Sequence, residues 1–129
     1  MFENLDVLRL AGGLARHAGA RQSQLAQNVA NADTPGYRAR DLMPFSVALE
    51  RAEPQVPLRT TRPQHFGSDE SLIRWDSRDA PDAESPNGNT VSLEGQMLKG
   101  AEAAQSHQLA LTVYSQALSI LRTAIGGRG

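Results

Sequence analysis

The strongest constraint on the fold is a periodic row of residues near the carboxyl end of the chain. From Leu93 onward, the row advances in strictly alternating steps of four and three residues for ten positions. Such steps keep side chains on one face of an α-helix and are the spacing of a coiled-coil seam. The row therefore predicts one helix of about 50 Å, with Ser92 as its N-cap and its end at Gly126 and Gly127. We call this row the predicted seam: Leu93, Met97, Gly100, Ala104, His107, Leu111, Tyr114, Leu118, Leu121 and Ile125.

Two further rows accompany it. Beside the predicted seam runs a second row of apolar residues, so two faces of the last helix need cover: Ala110, Val113, Ala117, Ile120 and Ala124. The amino end repeats the four-three spacing at Leu8, Ala11, Ala15, Ala18, Gln22, Leu25, Val29 and Ala32. This row predicts a helix with Asn4 as N-cap. We expect regular helix only after Gly12 and Gly13, because glycine lowers helix stability by roughly 0.5 to 1 kcal/mol relative to alanine.

The middle of the chain cannot continue either helix. Six of the seven prolines fall between Pro44 and Pro86, and proline interrupts helices. We therefore predict a mainly α fold in one structural unit. Two long terminal helices, within residues 1–33 and 92–129, form a coiled-coil-like pair, and an irregular middle, residues 34–91, holds a short β-hairpin.

Local patterns suggest how the middle is arranged. Residues 56–61 and 71–75 are candidate strands, and Trp75 is expected to cap an apolar cluster. Asn87 and Gly88 predict a turn that leads into the last helix. The charged side chains after the second strand favour a solvated loop, with a contact to a neighbouring subunit as the alternative: Arg74, Asp76, Arg78, Asp79, Asp82 and Glu84.

The long helices carry unusually few charges. Residues 103–121 form a run of nineteen residues with no formal charge. Their glutamines, serines and His107 argue against a transmembrane span. An uncharged face of small polar groups suits packing against other protein helices, because no ion has to be buried. We expect the ends of the chain to become fully ordered on assembly; the alternative is an ordinary two-helix core formed by the leucines of the predicted seam.

Several functional classes are disfavoured. A net charge of -1 gives no field for nucleic acid, and the absence of cysteine removes thiol chemistry. His17, His65 and His107 lie in no ligand spacing, and no phosphate loop follows Gly12 and Gly13. Paired carboxylates remain open as a sequence possibility, although no pattern points to them. We expect no catalytic, cofactor-binding or metal-ligating residue, and an enzyme ranks third among the interpretations.

The most specific local signal is the junction after the first helix. Pro35 pushes Thr34 into an extended conformation and ends the helix near Ala32. Pro35 and Gly36 fit the central pair of a type II turn, after which Tyr37 could pack onto the helix pair. Asp33 and Thr34 can bond backbone amides that the helix end leaves free. An ordinary helix-stop turn would explain the proline and glycine alone, but not the whole string.

That string and a second one support a family resemblance. Residues 28–42, NVANADTPGYRARDL, resemble the signature near the amino end of bacterial flagellar rod and hook proteins. Residues 85–97, SPNGNTVSLEGQM, resemble the segment entering their carboxyl-terminal helix, and residues 58–66, LRTTRPQHF, are similar to proximal-rod members. The resemblance assigns the family motif to Asn28, Asn31, Asp33, Thr34, Pro35, Gly36, Tyr37, Asn87, Gly88 and Asn89.

The resemblance implies a structural subunit of the flagellar basal-body rod. Such a subunit is exported by the flagellar type III apparatus without a cleaved signal peptide, and assembles helically in the periplasm to transmit torque. Its partners would be copies of itself, other rod proteins and components of the basal-body base and export gate. A non-polymerising helical adaptor or export chaperone is the alternative. The residues expected to form the assembly seam are Leu8, Leu25, Val29, Leu93, Met97, Leu111, Tyr114, Leu118, Leu121 and Ile125.

Overall fold

The fold consists of two long helices joined through a small β-containing layer. A computed structural model describes residues 2–51 and 75–127. Along the chain the elements are α1 (Phe2–Ala30), β1 (Arg40–Leu42), α2 (Phe45–Arg51), β2 (Ser77–Asp79) and α3 (Leu93–Gly126). The predicted fold class is confirmed: two long helices dominate, and the irregular middle holds a two-stranded antiparallel sheet.

Helix α1 differs from the prediction at its start. It begins at Phe2, so Asn4 lies inside the helix and is not its N-cap. It also continues without a break through Gly12 and Gly13, contrary to expectation. Packing accounts for this continuity: Ala11 and Gly13 are buried, and the helix gains most of its stability from such tertiary contacts rather than from propensity.

Helix α3 has the predicted ends. The side-chain oxygen of Ser92 accepts a hydrogen bond from the amide of Gly95 at 3.2 Å, which makes Ser92 the N-cap. The helix ends at Gly126, and the amide of Gly127 donates back to the carbonyl of Thr123. Its 34 residues make it about 50 Å long at 1.5 Å per residue.

The two long helices pack antiparallel through residues spaced seven apart, most of which are alanines. Each member of this alanine interface is at most 4% exposed. The contact brings α1 and α3 close together because alanine adds little bulk between them. A repeat of seven residues keeps the contact on one face of each helix. The alanine interface consists of Ala11, Ala18 and Leu25 on α1, and Gln96, Ala103, Ala110 and Ala117 on α3.

The small sheet is formed by residues other than those predicted. Strand β1 pairs with β2 in antiparallel register, with Arg40 opposite Asp79 and Leu42 opposite Ser77. The candidate strand at residues 56–61, and residues 71–74 of the other, lie outside the described residues. Trp75 precedes β2 and packs edge-on against His17, with ring centroids 5.7 Å apart, as expected for a residue in an apolar cluster.

That cluster attaches the middle layer to α1. The imidazole of His17 is buried and donates from Nε2 to the carbonyl oxygen of Met43 at 2.7 Å. Phe45, the first residue of α2, also contacts the His17 ring. Within the described ranges, neither long helix carries the apolar stretch that a bilayer crossing requires.

Candidate assembly site

The two family motifs, far apart in sequence, meet at one end of the helix pair. We call this region the junction: residues 28–42 packed against residues 82–96. The amide of Gly36 donates to the carbonyl of Asn87 at 3.0 Å, and the amide of Thr90 donates to the carbonyl of Tyr37 at 3.0 Å. A Cβ on Gly88 would lie 3.5 Å from the Cα of Gly36, so the two turns contact each other at their glycines.

The first turn has the predicted form, and the second has Asn87 but not Gly88 in its central pair. The amide of Tyr37 donates to the carbonyl of Thr34 at 3.2 Å, and Gly36 has a φ of 73°. A positive φ at the third position, after proline, defines a type II turn and favours glycine. In the second turn, the amide of Gly88 donates to the carbonyl of Ser85, and Gly88 itself has a φ of 81°.

Asn28 connects α1 to both β1 and α3. Its amide nitrogen donates to the carbonyl of Arg40 at 2.6 Å and to Oε1 of Gln96 at 2.8 Å. Its oxygen accepts from the amide of Arg40 and from the hydroxyl of Tyr37, both at 3.1 Å. Tyr37 is therefore hydrogen-bonded to α1. The side chain of Asn28 is fully buried, and its hydrogen-bonding groups are satisfied.

Asn89 makes the equivalent connection for the second motif. Its amide nitrogen donates to the carbonyls of Asn31 and Thr34, at 2.9 and 2.7 Å. Its oxygen accepts from the amide of Val91 at 2.8 Å. One buried side chain thus satisfies carbonyls at the end of α1 and fixes the backbone that enters α3.

Asp82 holds the first turn of α3. Its carboxylate accepts from the amide of Ser92 at 3.1 Å, from Gln96 at 2.9 Å and from Lys99 at 3.2 Å. Burial alone would raise the pKa of Asp82, but these hydrogen bonds outweigh burial and hold the pKa below its usual value. A Cβ on Gly95 would lie only 3.2 Å from the Asp82 carboxylate, so a side chain there would displace that carboxylate slightly.

The prediction of a solvated charged loop is therefore wrong for part of that segment. Asp82 accepts a hydrogen bond from the amide of Ser92 beside the N-terminus of α3, because the partly positive helix N-terminus attracts a carboxylate. Arg78 and Asp79 belong to β2, and Asp79 lies 3.4 Å from Arg38. Asp76 and Glu84 are exposed, as a solvated loop would have them, while Arg74 lies outside the described residues.

Arg21 ties α1 to β1 and α3. Its guanidinium donates two hydrogen bonds of 2.9 Å to the carboxylate of Asp41 and lies 3.4 Å from Glu102. The hydrogen bond to Asp41 raises the pKa of Arg21 above its ordinary value, so the group stays charged. Sequence analysis assigned no role in the site to Arg21, Gln96 or Asp82. The position of Gln96 within the second motif was the one signal that could have identified it.

The other motif residues sit at the surface of the junction. Asn31 donates from its side chain to the carbonyl of Gln27 at 2.8 Å and accepts from the Thr34 hydroxyl at 3.2 Å. The oxygen of the Asn87 side chain accepts from the amide of Asn89. Asp33 and Pro35 are exposed. The junction thus uses the motif residues to build turns and to join elements.

The predicted seam lies beside the alanine interface rather than in it. Among the residues expected to form the assembly seam, Leu25 belongs to the alanine interface and is buried. Leu8, Leu118 and Leu121 are half-buried. The remaining members of the expected assembly seam are exposed, with Met97 at 74% and Ile125 at 70%: Val29, Leu93, Met97, Leu111, Tyr114 and Ile125. The alternative of an ordinary two-helix core formed by these leucines is wrong, because alanines occupy that position. His107 is half-buried rather than part of the core.

The chemistry of the junction is structural. In the part of the chain that the structure describes, buried side-chain nitrogen and oxygen atoms all have hydrogen-bond partners. The same residues contain no group of three or more histidines and carboxylates placed to hold a metal ion. The fold and the junction define a class of protein with two long paired helices, in which buried polar groups join the protein's own elements.

Comparison with known proteins gives the family within that class. The chain is 38% identical over 109 residues to the flagellar basal body rod protein FlgB of Cereibacter sphaeroides, covering 83% of this chain and 84% of that protein. It is 34% identical to FlgB of Aeromonas hydrophila over 83% of each chain, and 30% identical to FlgB of Salmonella typhimurium over 98% of this chain and 99% of that protein. No family model matches the sequence. The chain belongs to the FlgB family of flagellar basal body rod proteins.

Proposed function

We propose that this chain assembles helically, through its terminal helices, into the proximal rod of the bacterial flagellum, where it transmits torque. Membership of the FlgB family supports a structural rod subunit of the basal body. The observation that carries the finer proposal is the predicted seam of α3, most of whose large apolar side chains are exposed among the described residues: Leu93, Met97, Leu111, Tyr114 and Ile125.

Physical chemistry favours covering that face with other helices. Fully burying an exposed leucine, isoleucine or methionine contributes about 1.5 to 3 kcal/mol. Residues 103–121 bear no formal charge, so burial there carries no cost of desolvating an ion. Contacts of this kind that join different faces of a subunit propagate into a helical assembly.

The junction supports the transmission of force between the two long helices. Asn28, Gln96 and Asp82 form a continuous chain of hydrogen bonds from α1 to the first turn of α3. Arg21 adds a charged cross-link between α1 and β1. A network in which every member is paired resists rearrangement, so a twisting force applied to one helix would pass to the other.

The setting of the proposal follows the family. We place the chain in the periplasmic rod, exported by the flagellar type III apparatus without a cleaved signal peptide. Its neighbours would be copies of itself, other rod proteins and components of the basal-body base and export gate. Catalysis has no part in this proposal.

The experiment that tests the proposal introduces a charge into the predicted seam. Leu111 is 46% exposed, so Leu111→Lys should leave the isolated chain folded but should block assembly, because a charge would be buried there. We expect loss of swimming with normal export. Ser119→Lys is the matched control, because Ser119 is exposed and lies nine residues after Ala110, about 180° around α3 from the buried contact.

The outcomes separate the two candidate functions. Normal swimming with Leu111→Lys would contradict assembly through the predicted seam. Leu118→Asp should also abolish motility, but it is a weaker test because Leu118 is half-buried within the chain. Negative-stain microscopy of concentrated protein with its rod partners tests the adaptor alternative, which predicts only discrete small oligomers.

A further inference from the structure

We propose that a second copy of this chain places the predicted seam of its α3 into a groove between α1 and α3, on the flank of the helix pair opposite its own seam. We call this the distal groove and assign it to Leu10, Leu14, Leu109, Val113 and Ile120. The inference rests on the proposed function as a rod subunit and names the two faces that meet.

The two flanks of α3 are defined by the residues on either side of Ala110. Successive residues in an α-helix are about 100° apart around the axis. Leu109 and Leu111 therefore point to opposite flanks of the buried Ala110. Leu109 is 57% exposed and Leu111 is 46% exposed, so apolar surface is open on both flanks. The predicted seam occupies the flank of Leu111.

Helix α1 contributes to the flank of Leu109. Leu14 of α1 and Ser106 of α3 line one cleft, which shows that these sides of the two helices face the same way. Leu109 and Val113 follow Ser106 by three and seven residues, and Leu10 precedes Leu14 by four, so all continue along the same flank. Leu10 is also an exposed apolar side chain. The distal groove is therefore built from both helices.

The distal groove continues an interface that the chain already makes. Near the junction, Pro44 and Phe45 cover this flank and line a cleft of about 190 Å³ with Leu14 and Ser106. Farther from the junction, the described residues place no side chain of the middle layer over Leu109 or Val113. Among the described residues, the same apolar surface is thus covered at one end and open at the other.

The predicted seam has the properties of the missing cover. A groove between two helices accepts a third helix that presents a narrow apolar ridge, and steps of four and three produce such a ridge. Both the seam and α3's share of the groove fall largely in the uncharged residues 103–121, so their contact buries no ion there. Since seam and groove are different surfaces, the contact is heterologous and can repeat from copy to copy. A two-fold dimer joined groove to groove would leave both seams open.

Cysteine cross-linking tests this pairing, because the chain contains no cysteine. Leu109→Cys is produced in the flagellated host together with a second copy that carries one seam cysteine: Met97→Cys, Leu111→Cys or Ile125→Cys. Basal bodies are then oxidised and the chain is examined for covalent dimers. We expect a dimer band from at least one mixed pair and loss of that band when either variant is present alone. Leu109→Cys paired with Ser119→Cys, on the face of α3 opposite the buried Ala110, is the control and should give only background.

Three results would overturn the inference. Dimers from Leu109→Cys alone would show two-fold contact, and dimers as strong with Ser119→Cys would show no preference for the seam. The third result is the absence of any mixed dimer. If the Leu109→Cys thiol is then shielded in the monomer, or is linked to a different rod protein, the groove has another occupant. Val113→Cys replaces Leu109→Cys if the latter does not assemble. A chain absent from basal bodies would refute the proposed rod function, whereas one that is incorporated without mixed dimers refutes this pairing alone.

Discussion

Two buried amide side chains, Asn28 and Asn89, determine how the chain passes from one long helix to the other. Each donates hydrogen bonds that link segments more than fifty residues apart in sequence. Asparagine suits these positions because its short side chain offers donors and an acceptor without charge. The sequence identified both residues through the family motif, but not their partners Gln96 and Arg40, because such contacts depend on the fold.

Replacing Asn28 should destabilise the junction. Asn28→Ala leaves the Arg40 carbonyl and Gln96 without their buried partner, at about 1 to 3 kcal/mol for each unpaired group. We expect the free energy of unfolding to fall by at least about 2 kcal/mol. Urea titration followed by the fluorescence of Trp75, the only tryptophan, measures this change. Gln27→Ala, at the exposed neighbouring position, is the control, and an equal effect of both substitutions would contradict the account.

Asp82 should make stability depend on acid pH. Its pKa is lower in the folded chain than its ordinary value, so it contributes stability above that ordinary value, and the contribution is lost as the pH falls through the folded pKa. We expect stability to fall as the pH drops below about 4. Asp82→Asn should lower stability at pH 7 and flatten this acid dependence. Thermal unfolding of both proteins from neutral to acid pH measures the effect, with Glu84→Gln as control; identical profiles for wild type and Asp82→Asn would contradict it.

Helix positions were predicted better than the faces by which the helices pack. Ser92 and Gly127 terminate α3 as expected, because capping depends on a few neighbouring residues. The second row predicted beside the seam supplies Ala110 and Ala117 to the alanine interface, whereas most large side chains of the predicted seam remain exposed. Periodicity shows which residues share a face, but it does not reveal whether a face packs within the chain or remains open.

The strands illustrate a second limit of local patterns. Strand β1 contains Arg40 and Asp41, which are poor strand formers, and it lies within the motif after the type II turn. Its extended conformation depends on pairing with β2 and on the hydrogen bonds from Asn28 to the backbone of Arg40. Distant partners therefore define this strand, and propensity alone gave no signal for it.

One glycine in α1 provides a test at the level of the helix. A Cβ added to Gly19 would meet no atom within 4 Å, and its backbone needs no positive φ. Gly19→Ala should therefore raise the stability of the isolated chain by about 0.5 to 1 kcal/mol. Thermal unfolding followed by circular dichroism measures this gain, with Ser23→Ala at an exposed position for comparison. A loss of stability would show that the glycine is required within the chain itself.

The complete chain combines a well-satisfied junction with long helices that leave apolar surface open. The polar groups of the junction find their partners within the chain, whereas most large side chains of the predicted seam and of the distal groove are exposed among the described residues. This division suits a subunit that has a defined centre and completes its packing in contact with neighbours. The expectation that the ends become fully ordered only on assembly stays a prediction.

Cryo-electron microscopy of intact basal bodies from the native bacterium provides the decisive observation. We expect density for α1 and α3 of this chain in the proximal rod, with Leu111 and Tyr114 packed against helices of adjacent subunits. The junction should retain the contact between Asn28 and Gln96 seen here. A map that places the chain in the rod with the predicted seam facing open solvent, or that contains no density for the chain, would contradict the account.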